Sequence, residues 1–302
     1  MAYDKVIDSA RLDADLKGVA DVIREKTGSS ETIAFPDGFK AAIAGIQSGG
    51  GDSSALDALI DGSAVSITST ATKIRSYAFK ESKIVSGDFP NVEEVLNFAF
   101  DNCYSLASIN LPNVTKIGSS SFSSCSALET LNLPNVTTIA SSSFSRCGCT
   151  SVNIPKITTI NSSAFQYCAE LVNANFPSAK SISSSAFGYC SALKFLDFPL
   201  VATIASSAFS NCTSFETLIL RKEQVATIAS TSVFGSTPFA SSGTGGIVYV
   251  PREFIEEYQA ATNWSTLYAA GTCTFLALED YTVDGTITGE MDWDKINGGA
   301  TV

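Results

Sequence analysis

From about residue 69 onward, apolar residues return in fixed slots with polar residues held between them. One unit, PNVTKIGSSSFSSCSALETLNL from Pro112 to Leu133, displays the pattern P-x-V-x-x-I-x-x-x-[AS]-F-x-x-C-x-x-L-x-x-L-x-L. Prolines recur at Pro90, Pro112, Pro134, Pro155, Pro177 and Pro199, and isoleucines follow at Ile117, Ile139, Ile160, Ile182 and Ile204. Phenylalanines come at Phe100, Phe122, Phe144, Phe165, Phe187 and Phe209. Cys103, Cys125, Cys147, Cys168, Cys190 and Cys212 lie 22, 22, 21, 22 and 22 residues apart. A period of this length marks stacked supersecondary units, each unable to bury its own apolar side.

Each slot has a physical role. Leu128, Leu131 and Leu133 give an L-x-x-L-x-L spacing whose last part alternates in and out, as a strand does. Proline ends that strand because it has no N–H for a ladder. Val114 and Ile117 are expected to turn inward on the return side. The serine-rich corner suits tight turns, where hydroxyls satisfy backbone groups. The phenylalanine fills the centre of the coil.

The I-x-x-x-[AS]-F-x-x-C-x-x-L-x-x-L-x-L-P unit resembles the BspA-type leucine-rich repeat of bacterial surface proteins, over roughly residues 69–250. The resemblance implies a β-rich leucine-rich repeat solenoid of short parallel strands. A degenerate first copy, ATKIRSYAFKESKIVSGDF, lacks the cysteine and ends in Asp88 and Phe89. The last copy is stretched, with Phe234, a Gly/Ser insertion at 241–246 and the strand IVYVP.

The ends differ. Leu12, Leu16, Val19 and Ile23 form a helical stripe that Gly28 can cap, and Phe39, Ile43 and Ile46 form a second after Pro36. Residues 1–48 are therefore expected to be a small helical N-terminal module, and 49–68 a linker and N-terminal cap, with QSGGGDSS spanning the boundary between them. The string LKGVADVIREKTGSSETIAFPDGFKAAIAGI resembles a module at the start of tail and baseplate-associated proteins of phages of Gram-positive gut bacteria. That implies docking to other tail proteins through residues 4–47; a cap over the solenoid's open end is the alternative. Residues 251–302 are expected to be a helical C-terminal cap and tail. PREFIEEYQAATNWSTLY reads as one amphipathic helix from Pro251 that docks Phe254, Ile255, Tyr258 and Trp264 on the last coil. Similar repeat proteins end in this V-P…Y…A-T-N-W pattern.

Composition narrows the chemistry. Of 302 residues, 45% are hydrophobic and only 16% charged, and 19 basic against 30 acidic residues leave a net charge of −11. Such a chain repels phosphate backbones and anionic lipid, so no nucleic-acid or membrane partner is expected. No run approaches the ~18 apolar residues of a membrane span. The N-terminus lacks the apolar core of a secretory signal, which predicts a virion or another non-cleaved route to the cell surface. Histidine is absent, which removes histidine-based triads, general bases and imidazole zinc sites.

No cofactor or metal is expected. The regular cysteines read as buried free thiols, because equivalent side chains in a parallel stack point the same way and not at each other. Cys149 replaces a leucine in the copy that is one residue short. Asp292, Asp294 and Asn297 have the wrong spacing for a calcium loop. Asn-x-Ser/Thr triplets at Asn113, Asn135 and Asn211 recur with the repeat, with another at Asn263. The adjacent acids Glu93–Glu94 and Glu256–Glu257 read as solvated surface, since sequence neighbours do not converge on one atom.

The remaining candidates lie on the strand face. Asp88, Asn110, Asn132, Asn153, Asn175, Asp197 and Ile219 should stack in one column, and Ser108, Thr130, Ser151, Asn173, Phe195 and Thr217 in a second. Such a column is either an asparagine ladder bonded to itself or a binding face whose amides and hydroxyls suit sugar or peptide. The candidate ligand-binding residues are therefore Asn110, Asn132, Asn153, Asn175, Asp197, Thr130, Ser151, Asn173 and Phe195. The expected protein is non-enzymatic: a phage tail-associated receptor binder for a bacterial surface glycan or protein. The alternatives are a cell-surface adhesin or a purely structural virion component. A homo-oligomer through residues 4–47 is a further expectation.

Overall fold

Leu128, Leu131 and Leu133 are buried while Thr130 and Asn132 between them are exposed, so the leucine spacing forms a strand with one wet face. The computed structural model describes residues 65–69, 71–240, 245–280, 282–283 and 286–287. The expected helical module at 4–47, the linker, and the tail acids Asp292 and Asp294 lie outside the described residues.

Repetition of that strand builds a parallel solenoid. Its strand face runs β1 (Val65–Thr68), β3 (Ile84–Asp88), β5 (Ser108–Asn110), β7 (Thr130–Asn132), β9 (Ser151–Asn153), β11 (Asn173–Asn175), β13 (Phe195–Phe198), β15 (Thr217–Leu220), β17 (Gly246–Val250) and β18 (Cys273–Ala277). The ladder is divided into three sheets, β1-β3-β5, β7-β9-β11 and β13-β15-β17-β18. On the return side two-residue strands, β2 (Lys73–Ile74), β4 (Glu94–Val95), β6 (Lys116–Ile117) and β8 (Thr138–Ile139), form one sheet. Four more, β10 (Thr159–Ile160), β12 (Ser181–Ile182), β14 (Thr203–Ile204) and β16 (Thr227–Ile228), form the next. Val114 and Ile117 are buried there as expected.

The phenylalanine slot fills the axis. Phe79, Phe100, Phe122, Phe144, Phe165, Phe187, Phe209 and Phe234 stack one ring per coil, with centroids 5.0, 5.0, 5.4, 5.5, 5.6, 5.6 and 5.8 Å apart. Offset stacks of this kind add favourable contact beyond area burial. Beside them run the cysteines, all eight of which are buried and free. Each of the six repeat thiols donates to the phenylalanine carbonyl one coil back, as in Cys125 to Phe100 at 3.2 Å and Cys190 to Phe165 at 3.1 Å. Burial pushes the Cys103 thiol up to about 11 and the Cys273 thiol to about 12. Ser82 stands in the cysteine slot of the first copy, its hydroxyl 3.5 Å from the Cys103 sulfur.

The serine corner is built on left-handed backbone. In the seven coils from Phe79 to Phe209 two residues have positive φ, at the second position before and after the phenylalanine: Ser120 and Ser124 around Phe122, Ser142 and Arg146 around Phe144, Ser163 and Tyr167 around Phe165. This places the N–H groups of Ser120, Phe122 and Ser124 on one side, where they donate to Ser141, Ser143 and Ser145 of the next coil. The alternate N–H groups close turns within the coil, as Ser123 does onto Ser120 and Cys125 onto Phe122. The short third copy closes at Gly148, where a Cβ would sit 2.0 Å from the Ser126 carbonyl oxygen.

The C-terminal cap departs from the single expected helix. A 3-10 turn, Arg252–Phe254, leads into α1 (Ile255–Ala260), and α2 (Trp264–Ala269) follows after a break. Ala261 is extended and Asn263 has φ 68°, so the helix cannot run through. The break serves the solenoid edge. Asn263 Nδ2 donates to the Ile228 carbonyl at 2.8 Å, and Trp264 Nε1 to the Ala226 carbonyl at 2.7 Å. The Tyr258 hydroxyl accepts from the Ala226 N–H at 2.9 Å. Side chains of the cap thus satisfy the backbone edge that β16 leaves open.

Candidate functional site

The strand-face residues project from rigid, short strands, which is why their spacing is regular. Register pairs Asp88 with Asn110, Asn132 with Asn153, Asn153 with Asn175 and Asp197 with Ile219. The second column pairs Thr130 with Ser151, Ser151 with Asn173 and Phe195 with Thr217.

Within each sheet the amides bond to one another. Asn110 Nδ2 donates to Asp88 Oδ1 at 2.8 Å. Asn153 Nδ2 donates to Asn132 Oδ1, and Asn175 Nδ2 to Asn153 Oδ1, both at 2.9 Å. The two sheet boundaries fall between Asn110 and Asn132 and between Asn175 and Asp197, where no backbone ladder joins the strands. Asp197 is engaged from the other side, by Nε and Nη2 of the Arg221 guanidinium at 2.6–2.9 Å. That contact raises the Arg221 pKa. Phe195 is half-buried.

The asparagines of the glycosylation-like triplets also bond within the fold. Asn113 and Asn135 donate to the proline carbonyl one coil back, at 2.7 and 2.8 Å, and Asn211 to Ser210. Glu94 is not simply solvated: Lys73 and Lys116 grip it from adjacent coils at 2.9 and 3.1 Å, and those hydrogen bonds lower its pKa.

These repeats fix the lineage. The sequence profile of the BspA type leucine-rich repeat region matches six copies across residues 58–172 and 158–241. The chain belongs to this leucine-rich repeat family. No curated protein sequence is significantly similar to it. Among solved structures it is similar to a leucine-rich cell surface protein from Faecalibacterium prausnitzii, at 24% identity over 62% of this chain and 63% of that one, with a TM-score of 0.49. A leucine-rich repeat protein from Bacteroides ovatus matches at 23% identity, over 60% and 59% of the two chains, with a TM-score of 0.36. The pneumococcal vaccine antigen PcpA matches at 17%, over 66% and 76%, with a TM-score of 0.26. The chain spans less than two thirds of the length of the first two of these proteins.

Two surface features of this family member escape the repeat pattern. Toward the C-terminus the outward column turns apolar: Ile219 and Tyr249 are buried under Leu278, with Ile247 and Leu276 packed alongside. The polar part of the strand face therefore ends at Asp197. The second feature lies on the serine corner, in the residue just before each repeat cysteine. Arg146, Tyr167 and Tyr189 occupy that slot in three consecutive coils, and all three are exposed. The legible signal was an aromatic before the cysteine in two successive copies. No helix among the described residues is long and apolar enough to cross a membrane.

Proposed function

We propose that this is a non-enzymatic binding protein that recognises a bacterial surface glycan or protein through the polar strand face. One observation carries the reading. Thr130 and Ser151, in register beside the self-bonded Asn132 and Asn153, have no hydrogen-bond partner for their hydroxyls among the described residues. Their donors and acceptors stand on a backbone held by the core, so a ligand meets them with little ordering cost. The test is binding of labelled full-length protein to a panel of intact Gram-positive gut bacteria, beside a folded Asn132→Arg, Asn153→Arg variant. Strain-selective binding lost in the variant is the expected result; binding that survives it moves the site off this face.

The finer reading, attachment to a phage tail, is favoured by D-x-I-R-x-K-T-G at Asp21–Gly28 and F-P-x-G-F at Phe35–Phe39. Purified virions whose tail proteins lack this chain by mass spectrometry would leave the cell-surface adhesin in its place.

A further inference from the structure

The corner position two residues after each core phenylalanine has left-handed backbone in every coil from Glu81 to Ser236. Asparagine and glycine suit that conformation, and bulky side chains are uncommon there. Several coils comply with small or polar residues: Asn102, Ser124, Asn211 and Ser236. Tyr167 and Tyr189 do not, at φ 64° and 65°. Nor does burial repay the strain, since the rings are 39% and 43% exposed and outside the core. They stack on each other at 4.5 Å, a surface contact between two residues in left-handed backbone. Strain that packing does not recover points to a use of the side chains themselves.

Their neighbour supplies the chemistry. The Arg146 guanidinium lies over the outer face of Tyr167, 4.8 Å from the ring centroid. Among the described residues no carboxylate pairs with it. A comparable stack near the first coils, Tyr77 on Phe98 with Lys80 at 5.8 Å, is different, because Glu81 and Asp101 neutralise that lysine. Arg146 is thus a cation left open to an anion on a chain of net charge −11. On the far side of Tyr189 the next coil places Asn211, whose side-chain amide donates to Ser210.

We infer that Arg146, Tyr167 and Tyr189 form a binding ridge for an acidic polysaccharide, one whose sugars carry carboxylates. The sugar chain runs along the exposed edges of the stacked Tyr167 and Tyr189 rings, whose hydroxyls face its hydroxyls, and Arg146 at one end of the stack takes a carboxylate. The three residues follow the solenoid axis, one per coil, so the site fits a linear polymer. It lies on the serine corner, away from the strand face, and does not depend on that face being a binding site.

The probe is a defined oligogalacturonate, with a neutral malto-oligosaccharide of equal length as control, titrated into the full-length protein. Tyr189→Asn is the first variant; because asparagine suits the backbone there, its melting temperature is expected to match or exceed that of the parent. Oligogalacturonate should bind, weaken ~tenfold or more in Tyr189→Asn and in Arg146→Gln, and weaken with salt. It should bind Asn132→Arg, Asn153→Arg as it binds the parent, which separates the ridge from the strand face. No binding at millimolar probe, equal binding of the neutral control, or full binding by Tyr189→Asn would each overturn the inference.

Discussion

The thiol of Cys168 donates to the carbonyl of Phe144, one coil back, at 3.0 Å. The same carbonyl accepts the Cys147 N–H of its own coil at 3.2 Å. Cysteine is therefore held in this slot as a donor small enough for the core, and not for reactivity. Cys168→Ala should cost ~1–2 kcal/mol in denaturant unfolding, from a lost bond and a small void. Cys168→Ser, which keeps a donor, should cost less. Equal losses for the two would show that volume alone decides.

The thiols also set a pH limit. The folded values of Cys103 and Cys273 lie above the ordinary 9.0, because burial disfavours the thiolate. An acid raised on folding keeps its proton in the native state while the unfolded chain releases it, so unfolding is favoured as pH rises. Stability should hold below pH about 9 and fall between about 9 and 12. Urea midpoints measured across that range test this, and a flat profile would contradict it. In the same experiment iodoacetamide should label no thiol at neutral pH until the protein unfolds.

Gly148 closes the short coil against the Ser126 carbonyl. Gly148→Ala should destabilise by ~1–3 kcal/mol, since backbone and not a flexible side chain must move. Gly188, whose Cβ would meet only ordinary contacts at 3.5 Å and beyond, is the control position. Comparable melting temperatures for the two alanine variants would refute the close-approach argument.

The left-handed corner offers stabilisation. Ser163, at φ 55°, is one of its serines. Ser163→Gly should raise stability by ~0.5–1 kcal/mol by relieving the Cβ clash, less the entropy glycine adds to the unfolded chain. A thermal melt decides the sign.

Much of this is legible in the sequence. Proline, phenylalanine and cysteine keep their spacing through six coils and isoleucine through five, and each slot has one side chain that fits, so Phe122 could be placed at the axis and Cys125 beside it as a free thiol. The candidate asparagines were readable as a column for the same reason. Their breaks at Asn110/Asn132 and Asn175/Asp197 were not, because hydropathy is unchanged where the ladder lapses. The covering of Ile219 by Leu278 depends on a segment distant in sequence. Pattern also missed the split cap helix: Asn263 and Trp264 fit an amphipathic stripe, yet both serve the backbone edge of β16. Left-handed φ at Tyr167 leaves no mark in hydropathy at all.

Trp264 tests that edge directly. Its indole N–H reaches the Ala226 carbonyl, which has no strand beyond it. Trp264→Phe should lower stability by ~1–3 kcal/mol and speed hydrogen exchange at Thr227 and Ala229. Unchanged exchange there would assign the cap a packing role only.

The one-sided donors of the serine corner carry a consequence for how such a chain grows. The six coils from Phe79 to Phe187 each offer three N–H groups to the coil ahead, and the six from Phe100 to Phe209 each offer three carbonyls to the coil behind, so these coils can follow one another. Copying one unit in the gene would lengthen the particle by one step of ~4.8 Å and leave both termini's neighbours unaware of the change. Turning a unit around would set donor against donor. The molecule is therefore extensible in modular steps yet strictly vectorial, and its reach can be altered by recombination without redesign of either end.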